Sequence, residues 1–85
     1  MNYLEMLGLK SAVSLAHCCV NPSHTELYDM LYNLDKALEE IELEELSVDN
    51  LSLEVRDVLD EMSKYEDGED HFVAFLQLYR AWREL

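Results

Sequence analysis

Apolar side chains recur every three or four residues in four separate stretches of this 85-residue chain, and that spacing is the tightest limit on its fold. An α-helix turns once in 3.6 residues, so residues spaced this way share one face. Met6, Leu9, Val13, Ala16 and Val20 follow the rule, as do Leu27, Leu31, Leu34, Leu38 and Ile41, and then Leu51, Val55, Val58, Met62 and Tyr65. In the last stretch Phe72, Phe75, Leu76, Tyr79 and Trp82 make a wide aromatic face, with Gln77, Arg80 and Glu84 opposite. Two glycines and one proline leave little of the turn vocabulary that a many-stranded β protein needs. The expected fold is all-α, a compact bundle of about four helices over approximately 3–20, 24–46, 50–66 and 70–84. At this length the whole chain, 1–85, is expected to be a single small acidic helical domain.

The punctuation between the stretches agrees with this division. Pro22 disfavours helical geometry at Asn21 and ends the first helix. Ser23-His24-Thr25-Glu26 has the pattern of a capping box opening the second. Residues 40–44 alternate and are compatible with an extended segment, but a lone strand has nothing to pair with, so the helix is continued to 46. Gly68 suits a left-handed residue closing the third helix, and Asp70 suits a cap for the fourth. Arg56–Asp60 and Asp60–Lys64 are spaced as i, i+4 ion pairs. The first helix is apolar nearly all round, which implies either a central position in the bundle or half of a dimer interface.

Charge is the second constraint. Nineteen acidic and six basic side chains give a net charge of −13. The excess is uneven: residues 1–22 are neutral, 23–46 carry −7, 47–68 carry −5 and 69–85 carry −1. Direct binding to nucleic acid is disfavoured, because affinity for phosphate comes mainly from Lys and Arg displacing counterions. An anionic membrane is disfavoured for the same reason, and the field favours encounter with a basic protein surface.

Asp35, Glu39, Glu42 and Glu45 fall three or four apart along the second helix with no basic residue among them, a pattern that opposes local stability. Glu54, Asp57 and Glu61 form a shorter row on the third helix, which is expected to extend the same surface if helices two and three pack side by side. A row of carboxylates at helical spacing resembles the charge of a nucleic-acid backbone, so these seven residues are the candidate partner-binding surface. An acidic face that only keeps the chain in solution is the competing explanation. Tyr28 and Tyr32, off the core stripe, are candidate aromatic contacts, whereas Tyr65, Tyr79 and Trp82 are assigned to the core.

Catalytic and metal-binding patterns are weak. Cys18 and Cys19 are neighbours that cannot both aim at one ion from a regular helix, and the spacing of His17 and His24 matches no zinc motif. The 66–70 loop lacks the alternating oxygen ligands of a calcium loop. Common catalytic spacings do not occur. No cofactor, metal site or enzymatic activity is therefore expected. The N-terminal apolar stretch lacks a basic leader and is broken by polar residues, so it does not match a secretion signal. With two cysteines too close in sequence for an easy mutual disulfide, a cytoplasmic location is expected.

These features point to a non-enzymatic acidic binding protein, an inhibitor that occupies the nucleic-acid-binding surface of a basic target. In size, charge and helicity alone the chain is similar to small acidic inhibitors such as phage anti-defence proteins and bacterial immunity proteins. The alternative expectation is a helical adaptor, secretion chaperone or antitoxin-like protein that binds through the apolar faces of the first and last helices, including as a homodimer.

Overall fold

The computed structural model describes residues 3–40, 48–65 and 68–85. Four helices account for most of them: α1 (Tyr3–Cys19), α2 (Thr25–Glu40), α3 (Val48–Met62) and α4 (Glu69–Arg83). There is no strand among the described residues. Residues 41–47, which include Ile41 and the expected continuation of the second helix to 46, lie outside them.

Each helix packs on its neighbours in sequence, and α4 returns to pack against α1, so the four form a closed ring. Cross-contacts fix their directions. The His17 ring on α1 lies 4.5 Å from Tyr28 and 6.0 Å from Tyr32 on α2, and the Ser14 hydroxyl donates to Asp35 at 3.2 Å. Sequence number rises along one helix as it falls along the other, so α1 and α2 are antiparallel. His24, just before α2, stacks at 3.8 Å on Tyr65, just after α3. The Trp82 indole N–H at the end of α4 donates to both the carbonyl and the hydroxyl of Ser52 at the start of α3, each at 3.0 Å. At the other end His71 Nε2–H donates to the Met62 carbonyl at 2.9 Å. These two bonds pin the α3–α4 register at both extremities. The result is the up-down-up-down bundle expected from short connections.

The core is one continuous cluster drawn from all four helices. Leu9, Val13, Leu27, Leu31, Leu38, Val55, Met62 and Leu78 are fully enclosed. At ~1.5–3 kcal/mol for each buried aliphatic side chain, this cluster provides the main drive to fold. The apolar stripes of the first three helices are buried as their spacing predicts. In α4 the stripe is rotated. His71, Ala74 and Leu78 are the buried residues, Phe75 and Trp82 pack partly against the core, and Phe72 and Tyr79 are exposed. The long aromatic side chains therefore lie along the seam with α3, and smaller groups take the centre.

Two boundaries also differ from expectation. α2 begins at Thr25 with His24 as its cap, and its turn is held by Asn21: the Ser23 N–H donates to Asn21 Oδ1, and the His24 N–H to the Asn21 carbonyl, both at 3.0 Å. This replaces the capping box that Ser23 and Glu26 suggest. Gly68 has φ 103° and ψ −167°, but it serves as the N-cap of α4, so Asp70 lies inside the first turn.

Candidate interaction surface

Wheel geometry follows from the contacts. On α2, Tyr28, Tyr32, Asp35 and Glu39 step by four, three and four, which places them along the flank that faces α1. The opposite flank carries Met30, Asn33 and Ala37, which line a shallow groove of about 260 Å³ against Glu54, Asp57 and Val58 of α3. The two acidic rows therefore do not adjoin. Asp35 and Glu39 lie on the far side of α2 from Glu54 and Asp57, separated by the width of the helix. The expectation that they merge into one stripe is corrected on this point: acid flanks α2 on one side and fills the α2–α3 seam on the other.

Individual members differ in their surroundings. Glu39, Glu54 and Asp57 are exposed, and Asp35 is half-buried under the Ser14 hydroxyl. Among the described residues none of the four is ion-paired with a lysine or arginine. Lys36 turns instead toward the Tyr32 ring, 5.7 Å from its centre. Tyr32 is exposed, and Tyr28 is half-buried against His17. Glu42 and Glu45 lie outside the described residues.

Glu61 leaves the row. It is 8% exposed, accepts a hydrogen bond from Lys64 Nζ at 2.8 Å, and accepts another from the Tyr65 hydroxyl at 3.3 Å. Lys64 thus pairs with the residue three before it, where the spacing had suggested Asp60. The Lys64 hydrogen bond holds the Glu61 carboxyl below its usual range, and the same bond raises Lys64. Burial, followed by the Glu61 charge, raises the Tyr65 phenol. Placing two charges and a phenol together beside the start of α2 serves structure, so Glu61 is not available to a partner as the exposed carboxylates are.

Apolar side chains are also exposed on α1 and α4, the two helices whose apolar faces are the alternative binding surface, although Gly8, Ser11 and Leu15 of α1 share a groove with Gln77, Arg80 and Glu84 of α4. Leu4 is 76% exposed on α1, with Leu7, Gly8, Ser11, Ser14, Leu15 and Cys18 also exposed. Phe72, Val73 and Tyr79 are exposed on α4. At the α3–α4 end, Met62, Tyr65, Gly68, His71, Phe72 and Phe75 line a depression of about 440 Å³. The apolar sequence of α1 was legible as surplus to one core face, but which leucines it leaves outside depends on packing.

Both cysteines are free thiols, Cys18 exposed and Cys19 half-buried. Among the described residues no three His, Cys, Asp or Glu side chains are grouped to hold a metal ion, and no helix is long and apolar enough to cross a membrane. Compared with known protein families, curated proteins and solved structures, the chain matches none.

Proposed function

We propose that this chain is a non-enzymatic acidic binding protein that inhibits a basic target by covering its nucleic-acid-binding surface. The observation that carries the reading is the set of unneutralised carboxylates on both flanks of the α2–α3 side. Glu39, Glu54 and Asp57 point to solvent and no lysine or arginine within the described chain pairs with them. Like charges that gain nothing from internal pairing lower the stability of the free protein. A basic groove that normally receives phosphate would relieve that repulsion, and the long-range field would speed the encounter. Tyr32, exposed beside Asp35, supplies an aromatic contact of the type enriched at interface centres. Free thiols on α1 suit a reducing compartment such as the cytoplasm.

The test is capture of partners from nuclease-treated lysate of the source cell. A nucleic-acid-binding protein should be retained at low salt, released at about 0.5 M salt as screening shortens the Debye length to a few ångströms, and displaced by added DNA or RNA. Glu39→Lys combined with Glu54→Lys should weaken retention by about tenfold or more at unchanged helicity. Retention that ignores both salt and these reversals excludes the electrostatic mechanism.

A further inference from the structure

The groove between α2 and α3 sets carboxylates beside an apolar floor. Leu34 and Val58, both buried, lie at its base, Met30 and Ala37, both half-buried, line the α2 side, and the exposed Glu54 and Asp57 line the α3 side. Leu53, also exposed, lies one turn before Asp57 on the outer side of α3 and adds apolar surface next to the two acids. The cations of the chain that come nearest in sequence are turned elsewhere. Lys36 faces the Tyr32 ring, Lys64 is bound to Glu61, and Arg56, although adjacent to Asp57, points about 100° away from it around the helix. Among the described residues neither Glu54 nor Asp57 takes part in an ion pair.

Size and chemistry together limit what can occupy this groove. Its volume of about 260 Å³ is below the roughly 300–1,000 Å³ of sites that enclose a drug-sized ligand. One long side chain fits better, with an aliphatic stem to lie on Met30, Ala37 and Val58 and a cationic end to reach the carboxylates. Lysine and arginine both have such stems. The spacing of the acids selects between them. Glu54 and Asp57 are three residues apart on one helix, which sets their Cβ atoms about 5–6 Å from each other on the same side. A planar guanidinium has donors enough to bond both carboxylates at once and is weakly hydrated, whereas an ammonium is a strongly hydrated point charge that loses more on meeting an apolar floor.

We propose that the α2–α3 groove receives an arginine side chain of the basic partner, its stem on Met30 and Ala37 and its guanidinium bridging Glu54 and Asp57. The inference rests on the acidic-binding reading above and deepens it, because arginine is a residue that nucleic-acid-binding surfaces present to phosphates and to guanine edges. It also separates the two acidic flanks. The groove fixes one cationic side chain in place, while Asp35 and Glu39 on the α1 side of α2 add attraction that acts at longer range.

The test is an amide NMR titration of the full 15N-labelled chain at low salt with a capped tetra-arginine peptide and, separately, its tetra-lysine counterpart. Shifts should concentrate at Asn33, Ala37, Glu54 and Asp57, and the arginine peptide should bind about fivefold or more tightly than the lysine peptide, since only a guanidinium spans the pair. Asp57→Asn, at an exposed position, should leave helicity unchanged, weaken the arginine peptide about tenfold and erase its advantage over lysine. Glu39→Gln removes the same charge from the other flank and should weaken both peptides alike, by about twofold. Equal binding of the two peptides, or equal losses from Asp57→Asn and Glu39→Gln, would overturn the groove as an arginine site and leave a diffuse acidic binding surface standing. Failure of both peptides to bind at low salt would overturn that surface as well. Shifts at the same groove residues on concentrating the chain alone would give the groove to a second copy and overturn the assignment to a basic partner.

Discussion

Glu61 shows how one position can change its role between sequence and structure. Spacing alone places it with Glu54 and Asp57, because 54, 57 and 61 share a flank of α3. What spacing cannot supply is the depth of each residue under the neighbouring helix. The end of α3 lies beneath the start of α2, where His24 covers Tyr65, and there a carboxylate is tolerated because Lys64 and Tyr65 both donate to it. Spacing offered Asp60 as the partner of Lys64; the choice of Glu61 depends on the depth of that carboxylate in the fold. A pH dependence follows. The Glu61 pKa is lowered from an ordinary 4.5, so its contribution to stability is complete above that value and is lost as acid carries pH through the folded-state value. Lys64 is raised from 10.5, so its contribution is complete below that value and is lost as pH rises through the folded-state value. The pair therefore supports the fold between about pH 5 and 10. In Glu61→Gln, thermal melts across pH should show a lower Tm at neutral pH and a shallower fall between pH 5 and 3. A variant that loses as much stability at pH 3 as at pH 7 would show that the ion pair is not the cause.

At the scale of whole elements, the helices with the clearest division of apolar from charged residues are the ones the sequence places best. α2 and α3 each carry a leucine, valine or methionine stripe that is buried, with Met30 half-buried at its margin and Leu53 left outside at 55% exposure. The repulsion along α2 makes that stripe decisive. Leu31→Ala removes a fully buried side chain and should cost about 2–5 kcal/mol, measured by urea unfolding. Against a total of ~0.05–0.15 kcal/mol per residue for a chain of this size, that is a large share of the stability. α4 was harder to read because it has too many apolar residues: Phe72, Phe75, Leu76, Leu78, Tyr79 and Trp82 permit more than one choice of inward face. Packing selects Ala74 and Leu78 for the centre, since a four-helix interior has room for small and branched groups and leaves flat rings to the seams. The turn before α4 depends on Gly68, whose positive φ with extended ψ is a region open essentially to glycine. A Cβ there meets nothing within 4 Å, so the cost of Gly68→Ala is backbone strain alone, about 1–3 kcal/mol. A synthetic chain with D-alanine at 68 should recover that loss, because the mirror-image residue accepts this conformation. Equal destabilisation by both enantiomers would place the cause outside the backbone angle.

For the molecule as a whole, the partition of charge was legible from residue numbers, and its placement in space was not. Segments 23–46 and 47–68 hold nearly all the excess acid, and ring packing sets them beside each other. The wheel then divides their carboxylates between two flanks, a consequence of which side of α2 meets α1. Both flanks still belong to the same half of a body measuring 36 × 20 × 18 Å. Charges of one sign confined to such a volume repel more in the folded state than in the expanded chain. The folded protein should consequently gain stability as ionic strength rises, the opposite of a fold held by surface ion pairs. Between about 10 and 150 mM sodium chloride a gain near ~1 kcal/mol is expected, which for a domain of this length raises Tm by roughly 4–8 °C. Melts at low protein concentration keep any contribution from association out of the comparison. Replacing Glu39 and Glu54 by glutamine should reduce the salt dependence and raise Tm at low salt, because each substitution removes repulsion without touching the core. A Tm that stays level or falls with added salt would mean that the carboxylates are neutralised within the chain, leaving no unpaired acidic surface to offer a basic partner.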